Sequence, residues 1–456
     1  MNAYIKYRLL IGKRSCLLWV IRISYESAGE SVNQSYDFNK PTKIFSRKVL
    51  DFDLSKERYF LHNTRGPFPG DFIFETKEFQ KDMKRYRYDI NGVLYGKRVL
   101  ELDTKFGFQH QLDELNEVMD IFVVKSMLNG VMKGNSIEVK IDEMSNHVIV
   151  EQKNMRLGKL TYNFQLKPLK LISLYNKKND QLFTYSHRVF INGIDYASRV
   201  NMKEGDYERD FLIETFSKTM EIEAMKFDIP MGYGPIVAND KKELQTEMIT
   251  ENLYLISNVS DRYVAFKVDD KGIMVFGAPG SDKMSEKIIE HINQQFPMKK
   301  INTVYITHHH NDHIDGLNAY AQKGITILAD AFSITAIKAY KPFTENIAKF
   351  KFRAFEHKEL INGVRFYIPE NSHAKGQSFA YFEQSKIIYE GDLLEIPFDN
   401  TIANYMSGVE KQFVEFVHKE NIEIKRIIGH HRNGNISPEV MNAYYQANVG
   451  MKAAKL

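Results

Sequence analysis

Cysteine is almost missing from this chain. Of 456 residues only one, Cys16, carries a thiol. No intrachain disulfide is possible, and a cysteine-rich zinc site is excluded with it, so any metal must sit on histidine and carboxylate. The redox compartment stays open. A long apolar run is missing too. No stretch approaches the roughly 18 apolar residues that cross a bilayer as a helix, so no membrane span is expected. A strong charge of one sign is also lacking. The formal net charge is +4, spread along the sequence, which gives little reason to expect nucleic acid as a partner. Internal repeats and low-complexity tracts are not found.

The N-terminus resembles a leader only in part. Lys6, Arg8, Lys13 and Arg14 precede the apolar run Cys16–Ile21, but Arg22 interrupts it and no small-residue cleavage site follows. The segment reads as a β-strand over Leu17–Ser24. The compartment is left open, with the cytoplasm favoured and a periplasmic or secreted location left to an upstream start.

What is present is ordinary globular material: 43% hydrophobic and 26% charged residues, with 31 Phe and 25 Tyr. The length allows two or three domains. Residues 1–240 read as a β-rich N-terminal domain. Its short alternating runs include His147–Val150, Leu160–Phe164, Leu182–Tyr185 and Val189–Ile191, the last running into the turn signal Asn192-Gly193. Helical spacing of Leu112, Leu115, Val118, Met119, Phe122 and Val123 predicts one helix over Gln111–Met132. Arg65–Gly70 reads as a loop. Lys84-Arg85-Tyr86-Arg87-Tyr88 suits a strand with one wet face better than a nucleic-acid surface. Met231–Glu243 is the linker candidate.

From 241 to 456 strands alternate with helices, which indicates layered α/β packing. Expected strands are Leu253–Ser257, Tyr263–Val268, Ile273–Phe276, Thr303–Ile306, Ile325–Leu328, Gly363–Tyr367, Phe379–Phe382, Lys386–Tyr389 and Lys425–Ile428. Expected helices are Ser281–Phe296, one starting near Asp315, Ala331–Tyr340, Val409–Lys419 and Glu439–Met451.

One stretch organises this half: Tyr305-Ile306-Thr307-His308-His309-His310-Asn311-Asp312-His313. The whole chain holds 14 His, and four stand here within six residues. In an extended segment residues i and i+2 share a side, so His308 and His310 can reach one metal ion together. Asp312 and His313 follow at once and can turn toward a second. Imidazole and carboxylate suit zinc. The plainer reading is a solvated polar turn. Further ligands are expected at strand ends beside small residues. His373 lies in Asn371-Ser372-His373-Ala374, Asp392 in Glu390-Gly391-Asp392, and His430 in Gly429-His430-His431. His431 is the competitor to His430; His309, His291, His357 and His431 are set aside as non-ligands.

These residues together resemble the metallo-β-lactamase fold superfamily, whose pattern is His-x-His-x-Asp-His, a lone His, Gly-Asp and Gly-His. The resemblance covers about 248–456. It implies an αββα sandwich with a first metal on His308, His310 and His373, a second on Asp312, His313 and His430, and Asp392 bridging them. The implied function is a dinuclear zinc-dependent hydrolase that opens an ester, thioester, lactone or amide-like bond of a small-molecule substrate. Hydroxide would be available at neutral pH, and Asp312 would orient it and accept its proton. Class B1 β-lactamases carry Cys where Asp392 stands, so membership of that class is not implied. Family members often carry Asp in the turn where this chain has Gly277, a position that supports the ligands. Two other functions compete: a mononuclear iron enzyme that oxidises sulfur, as the family's persulfide dioxygenases do, and a non-catalytic binding protein stabilised by metal. A homodimer is an open option.

Overall fold

The computed structural model describes residues 20–453, apart from 134, 155–157, 192, 206, 239–242 and 260. Cys16 and the start of the strand expected over Leu17–Ser24 lie outside the described residues; from Val20 that strand is present and continues to Ser31.

Four strands open the described chain: β1 (Val20–Ser31), β2 (Thr42–Asp53), β3 (Arg58–Phe68) and β4 (Phe72–Lys81). In β1 the alternation is direct: Ile21, Ile23 and Tyr25 are buried while Arg22 and Glu26 face water. β1 lies in the middle of a 14-stranded sheet. On one side follow β2, β3, β4, Lys84–Asp89, Val99–Leu102 and Ile236–Ala238. On the other side Tyr207–Thr219 comes first, and the strands then step back in chain order to Ile137–Asp142. Pairing is antiparallel except for Ile236–Ala238, which runs parallel to Val99–Leu102. The basic strand Lys84–Asp89 turns its cations onto the sheet: Arg85 and Arg87 both bind Glu78, at 2.7 and 2.6 Å.

Two expectations in this half need correction. The helix expected over Gln111–Met132 is two helices, Phe108–Val118 and Asp120–Met132. Met119 breaks them in an extended conformation (φ −107°, ψ 109°). The break lets the buried Asp120 carboxylate accept from Ala197 N at 3.1 Å and pair with Arg188. Apolar spacing alone carries no sign of that polar anchor. The loop expected over Arg65–Gly70 belongs mostly to β3, which runs to Phe68 with a register shift after Arg65. At Gly66 (φ +120°) a Cβ would sit 2.3 Å from Phe72 O, so only glycine lets β3 and β4 stay paired there.

The second half carries two further sheets. The seven-stranded one contains Gln245–Thr250, Leu253–Val259, Arg262–Asp269, Gly272–Phe276, Ile301–Tyr305, Thr326–Ala329 and Lys351–Ala354. The five-stranded one contains Glu359–Ile361, Val364–Tyr367, Phe379–Phe382, Ile387–Glu390 and Arg426–Gly429. The expected strands lie in these sheets; Gln245–Thr250, Lys351–Ala354 and Glu359–Ile361 were not foreseen. All three are short, with several half-buried or exposed residues, and carry little apolar pattern.

Side chains decide how these sheets stack. Phe276, Tyr305 and Leu328 of the larger sheet share one core with Phe366, Phe382, Tyr389 and Ile428 of the smaller. Successive residues point to opposite faces. Val275, Val304 and Ile327 therefore pack the other way, against Ile288, Ile292, Leu317 and Ile337 of the helices Asp282–Gln295, Leu317–Gln322 and Ala331–Ala339. Phe379, Ile388 and Ile427 similarly meet Phe413, Val414, Met441 and Tyr444 of Gly408–Lys419 and Pro438–Ala453. Phe72 of β4 and Val93 join that last core, which ties the N-terminal sheet to the C-terminal half. The helix starts follow the sequence: Ser281 accepts from Met284 N, and Ser407 with Glu410 forms a capping box. Among the described residues no helix is long and apolar enough to cross a membrane.

Candidate metal centre

The histidine stretch leaves strand Ile301–Tyr305 in an extended conformation and enters a short helix, Asn311–Ile314. Extended backbone sends adjacent rings to opposite sides and alternate rings to the same side. His308 and His310 lie side by side, with ring centroids 4.5 Å apart. His309 packs instead against Phe332 and places Nε2 3.1 Å from Ser35 O. The helical turn at Asn311 then brings His313 back, with its ring 4.1 Å from that of His308.

His373 arrives from the loop after Val364–Tyr367. Asn371 Oδ1 accepts from the backbone N of His373 and Ala374 at 2.9 and 3.0 Å, which shapes this loop. The His373 ring stands 5.0 Å from that of His308 and 4.5 Å from that of His310. Asp392 has a positive φ of 62°, which turns its carboxylate in among the rings. Its oxygens lie 3.2 Å from His373 Nε2, 3.7 Å from His308 Nε2, 3.2 Å from His313 Nε2 and 3.1 Å from His431 Nε2. His430 follows Gly429 at the end of Arg426–Gly429, its ring 4.7 Å from that of His313. Asp312 stands at the rim. Its carboxylate is 3.7 Å from His313 Nε2 and 3.4 Å from His431 Nε2, and Arg262 Nη2 donates to it at 3.1 Å.

Among the described residues donor atoms gather in three groups, one of them Asp392, Glu395 and His431. One ligand atom each from His308, His310, His373 and Asp392 lies within 4.8 Å of the others, and the same holds for His313, His430 and His431. Inward-facing ring nitrogens here lack a hydrogen-bond partner: His308 Nε2, His310 Nδ1, His373 Nε2 and His430 Nε2. Buried polar atoms are rarely left unmet. Divalent cations in these groups would meet them, so the donor set fits metal with nitrogen and oxygen ligands.

The second nitrogen of each of these rings is already held. Thr307 Oγ1 is 3.1 Å from His308 Nδ1, Ser35 O is 3.0 Å from His310 Nε2, and Pro69 O is 2.8 Å from His373 Nδ1. His430 Nδ1 lies 2.8 Å from Tyr389 Oη and 3.0 Å from Tyr263 O. Such contacts fix the tautomer and leave the inward nitrogen as an acceptor. Burial, reinforced by neighbouring imidazoles, pushes His308, His310 and His430 well below the ordinary histidine range, so they are neutral, the form a metal takes. Burial alone would raise Asp392 and Asp312. The imidazoles of His313 and His431 outweigh it and hold both carboxyls well below their usual range.

No family model and no curated protein matches this sequence. Solved metallo-β-lactamases match part of it in structure. One from Hirschia baltica has 14% identity, over 45% of this chain and 98% of its own, with a TM-score of 0.36. FIM-1 from Pseudomonas aeruginosa, solved in a mono-zinc form, has 17% identity over 47% and 97%, with a TM-score of 0.36. One from Pontibacter korlensis has 14% identity over 45% and 98%, with a TM-score of 0.36. None of these likenesses decides what the chain does; the geometry of the cluster has to.

That geometry also includes a residue set aside from the sequence. Adjacent histidines in a strand point to opposite faces, which favours one of His430 and His431 over both. The chain turns sharply instead. Gly429 N bonds Asn433 O at 3.0 Å, Arg432 takes φ +59°, and both rings face the cluster with centroids 5.1 Å apart. Burial works against charge on His431, yet Asp392 and Asp312 push it up to about 9. His291 and His357 stay away, bonded to Thr246 Oγ1 and to Ile368 N.

Gly277 is explained by its neighbour. A Cβ there would stand 2.5 Å from Tyr389 Oη, and φ is +102°. The space an Asp side chain would use is filled by the tyrosine hydroxyl that holds His430.

Proposed function

We propose that the chain is a zinc-dependent hydrolase with two metal ions, built as a β-rich N-terminal domain (1–240) and an αββα domain of the metallo-β-lactamase type (241–456). The observation that carries this reading is the convergence of four buried, partnerless ring nitrogens from three separate chain segments around the Asp392 carboxylate. His308, His310 and His373 hold the first ion. Asp312, His313 and His430 hold the second, with His431 directed into the same space. Asp392, which groups with His308, His310 and His373 and separately with His431, would serve both ions.

A pair of divalent ions held there supplies Lewis acidity toward a carbonyl group and toward water. The remaining work falls to the chain. The buried rings of His308, His310 and His430 keep bulk water off the inner side. Asp312, about a quarter exposed, marks the open side where substrate enters. Its carboxylate, set beside His313 and His431, would orient the attacking water and accept its proton.

The test is turnover by zinc-loaded protein on a panel of ester, thioester, lactone, β-lactam and phosphodiester reporters. At least one is expected to turn over, with activity lost on chelation and restored by zinc. Full activity after His308→Ala would contradict the proposal. Elemental analysis separates the iron reading: two zinc ions per chain are expected, and a single iron would overturn this one. Tyr389→Phe removes the hydroxyl that holds His430, so affinity for the second ion is expected to fall by about 10-fold. Unchanged zinc titration of that variant would show that Tyr263 O suffices.

A further inference from the structure

The N-terminal half meets the cluster mainly through backbone. Between β1 and β2 the chain makes a tight turn: the buried Ser35 hydroxyl bonds Val32 O at 2.8 Å and Asp37 O at 2.9 Å. The turn aims Ser35 O at His310 Nε2 (3.0 Å) and at His309 Nε2 (3.1 Å). Asn33 O accepts from Asn311 N at 3.2 Å, and Tyr36 O accepts from Lys375 N at 2.9 Å. Phe38 seals the edge against Phe332, with ring centroids 5.4 Å apart. Between β3 and β4, Pro69 O takes His373 Nδ1 at 2.8 Å. A Cβ on Gly70 would lie 2.7 Å from Val409 Cγ1 and 3.2 Å from His373 Cβ, so the approach is as close as a glycine allows.

Two side chains from this half reach proposed ligands: Phe72 packs edge-on against His373, with ring centroids 5.6 Å apart, and Gln34 hydrogen-bonds at the rim. Gln34 Nε2 donates to Asn311 Oδ1 at 2.7 Å and to Asp312 Oδ1 at 2.9 Å. The other Asp312 oxygen faces Arg262 and His431. Gln34 therefore fixes which way the rim carboxylate turns. Its amide suits the task because it offers hydrogens without adding charge.

We infer that the N-terminal half is the outer shell of the metal centre, not a detachable accessory, and that Gln34 is a positioning residue for Asp312. The inference rests on the two-metal reading above. Each ring nitrogen turned away from the cluster needs an acceptor to set the tautomer, and for His310 and His373 that acceptor is a carbonyl more than two hundred residues away in sequence. Metal affinity and docking of the two halves are thus one equilibrium.

The experiment uses the full chain, stripped of metal, titrated with zinc against a chromophoric chelator and separately with cobalt(II), whose visible absorption reports ligand geometry. Gln34→Glu keeps the shape but puts an acceptor against Asp312. Gln34→Met keeps the length without a donor. The expected result is a second ion bound about 10-fold more weakly in Gln34→Met and weaker still in Gln34→Glu. The first ion should stay within about twofold, the cobalt band of the second site should shift, and kcat should fall with KM held. Circular dichroism matching the unaltered protein guards against misfolding. Equal affinities and identical cobalt spectra in all three proteins would overturn the inference while leaving the metal centre intact. An unaltered chain that takes up neither ion would sink the two-metal reading, and the inference with it.

Discussion

Asp392→Ala is expected to empty both metal positions at once. Its carboxylate belongs to the first donor group and reaches toward the second, with oxygens between 3.1 and 3.7 Å from ring nitrogens of His308, His313, His373 and His431. It is also the negative charge nearest to those rings, so its loss removes what balances a cation at either position. Losing an outer partner of a ligand typically weakens a site by roughly 10–100-fold. Losing a ligand common to two sites should exceed that range, with turnover falling by more than about 100-fold. Zinc content after dialysis, read beside the rate on the best reporter, checks it. Two ions retained with undiminished turnover would mean that Asp392 is a bystander.

Stripping the metal is expected to lower the melting temperature by roughly 10 °C. Without a cation, four imidazole nitrogens stay buried and unmet, and such groups cost about 1–3 kcal/mol each when nothing satisfies them. A ligand at a thousandfold excess over its Kd stabilises the native state by about 4 kcal/mol. For a unit of 150–250 residues each kcal/mol moves the midpoint by roughly 2–4 °C. Thermal unfolding with a chelator and with zinc in excess makes the comparison. His308→Ala should show little zinc response at the first position. Equal melting temperatures in both conditions would indicate a cluster that does not hold metal.

The strand ends of the second half were readable in the sequence because each candidate ligand stands beside a small residue where an apolar run stops: Gly391 before Asp392, Gly429 before His430, Ser372 and Ala374 on either side of His373. Stereochemistry makes those positions visible in a single chain. His431 was hidden by the same rule that revealed His308 and His310, since alternation assigns only one of two adjacent histidines to a face. The tight turn through Arg432 and Asn433 overrides it, and that turn has no apolar pattern to announce it. The role of the N-terminal half was hidden for another reason. Its contacts with the cluster come from the carbonyls of Ser35 and Pro69, and every residue has a carbonyl. Gln34 is one glutamine in a polar loop. The break at Met119 was missed because its cause, the pairing of Asp120 with Arg188, spans two distant segments. Gly277 looked like a missing aspartate until Tyr389 was seen in its place.

The most direct measurement is anomalous X-ray scattering at the zinc edge from crystals of the full chain grown with zinc. The account predicts two peaks about 3.5–4 Å apart, the spacing of two-metal hydrolytic sites. One should lie among His308, His310 and His373, and the other beside His313 and His430, with Asp392 between them. A map with no peak in this cluster, or with zinc only on surface histidines, would contradict it.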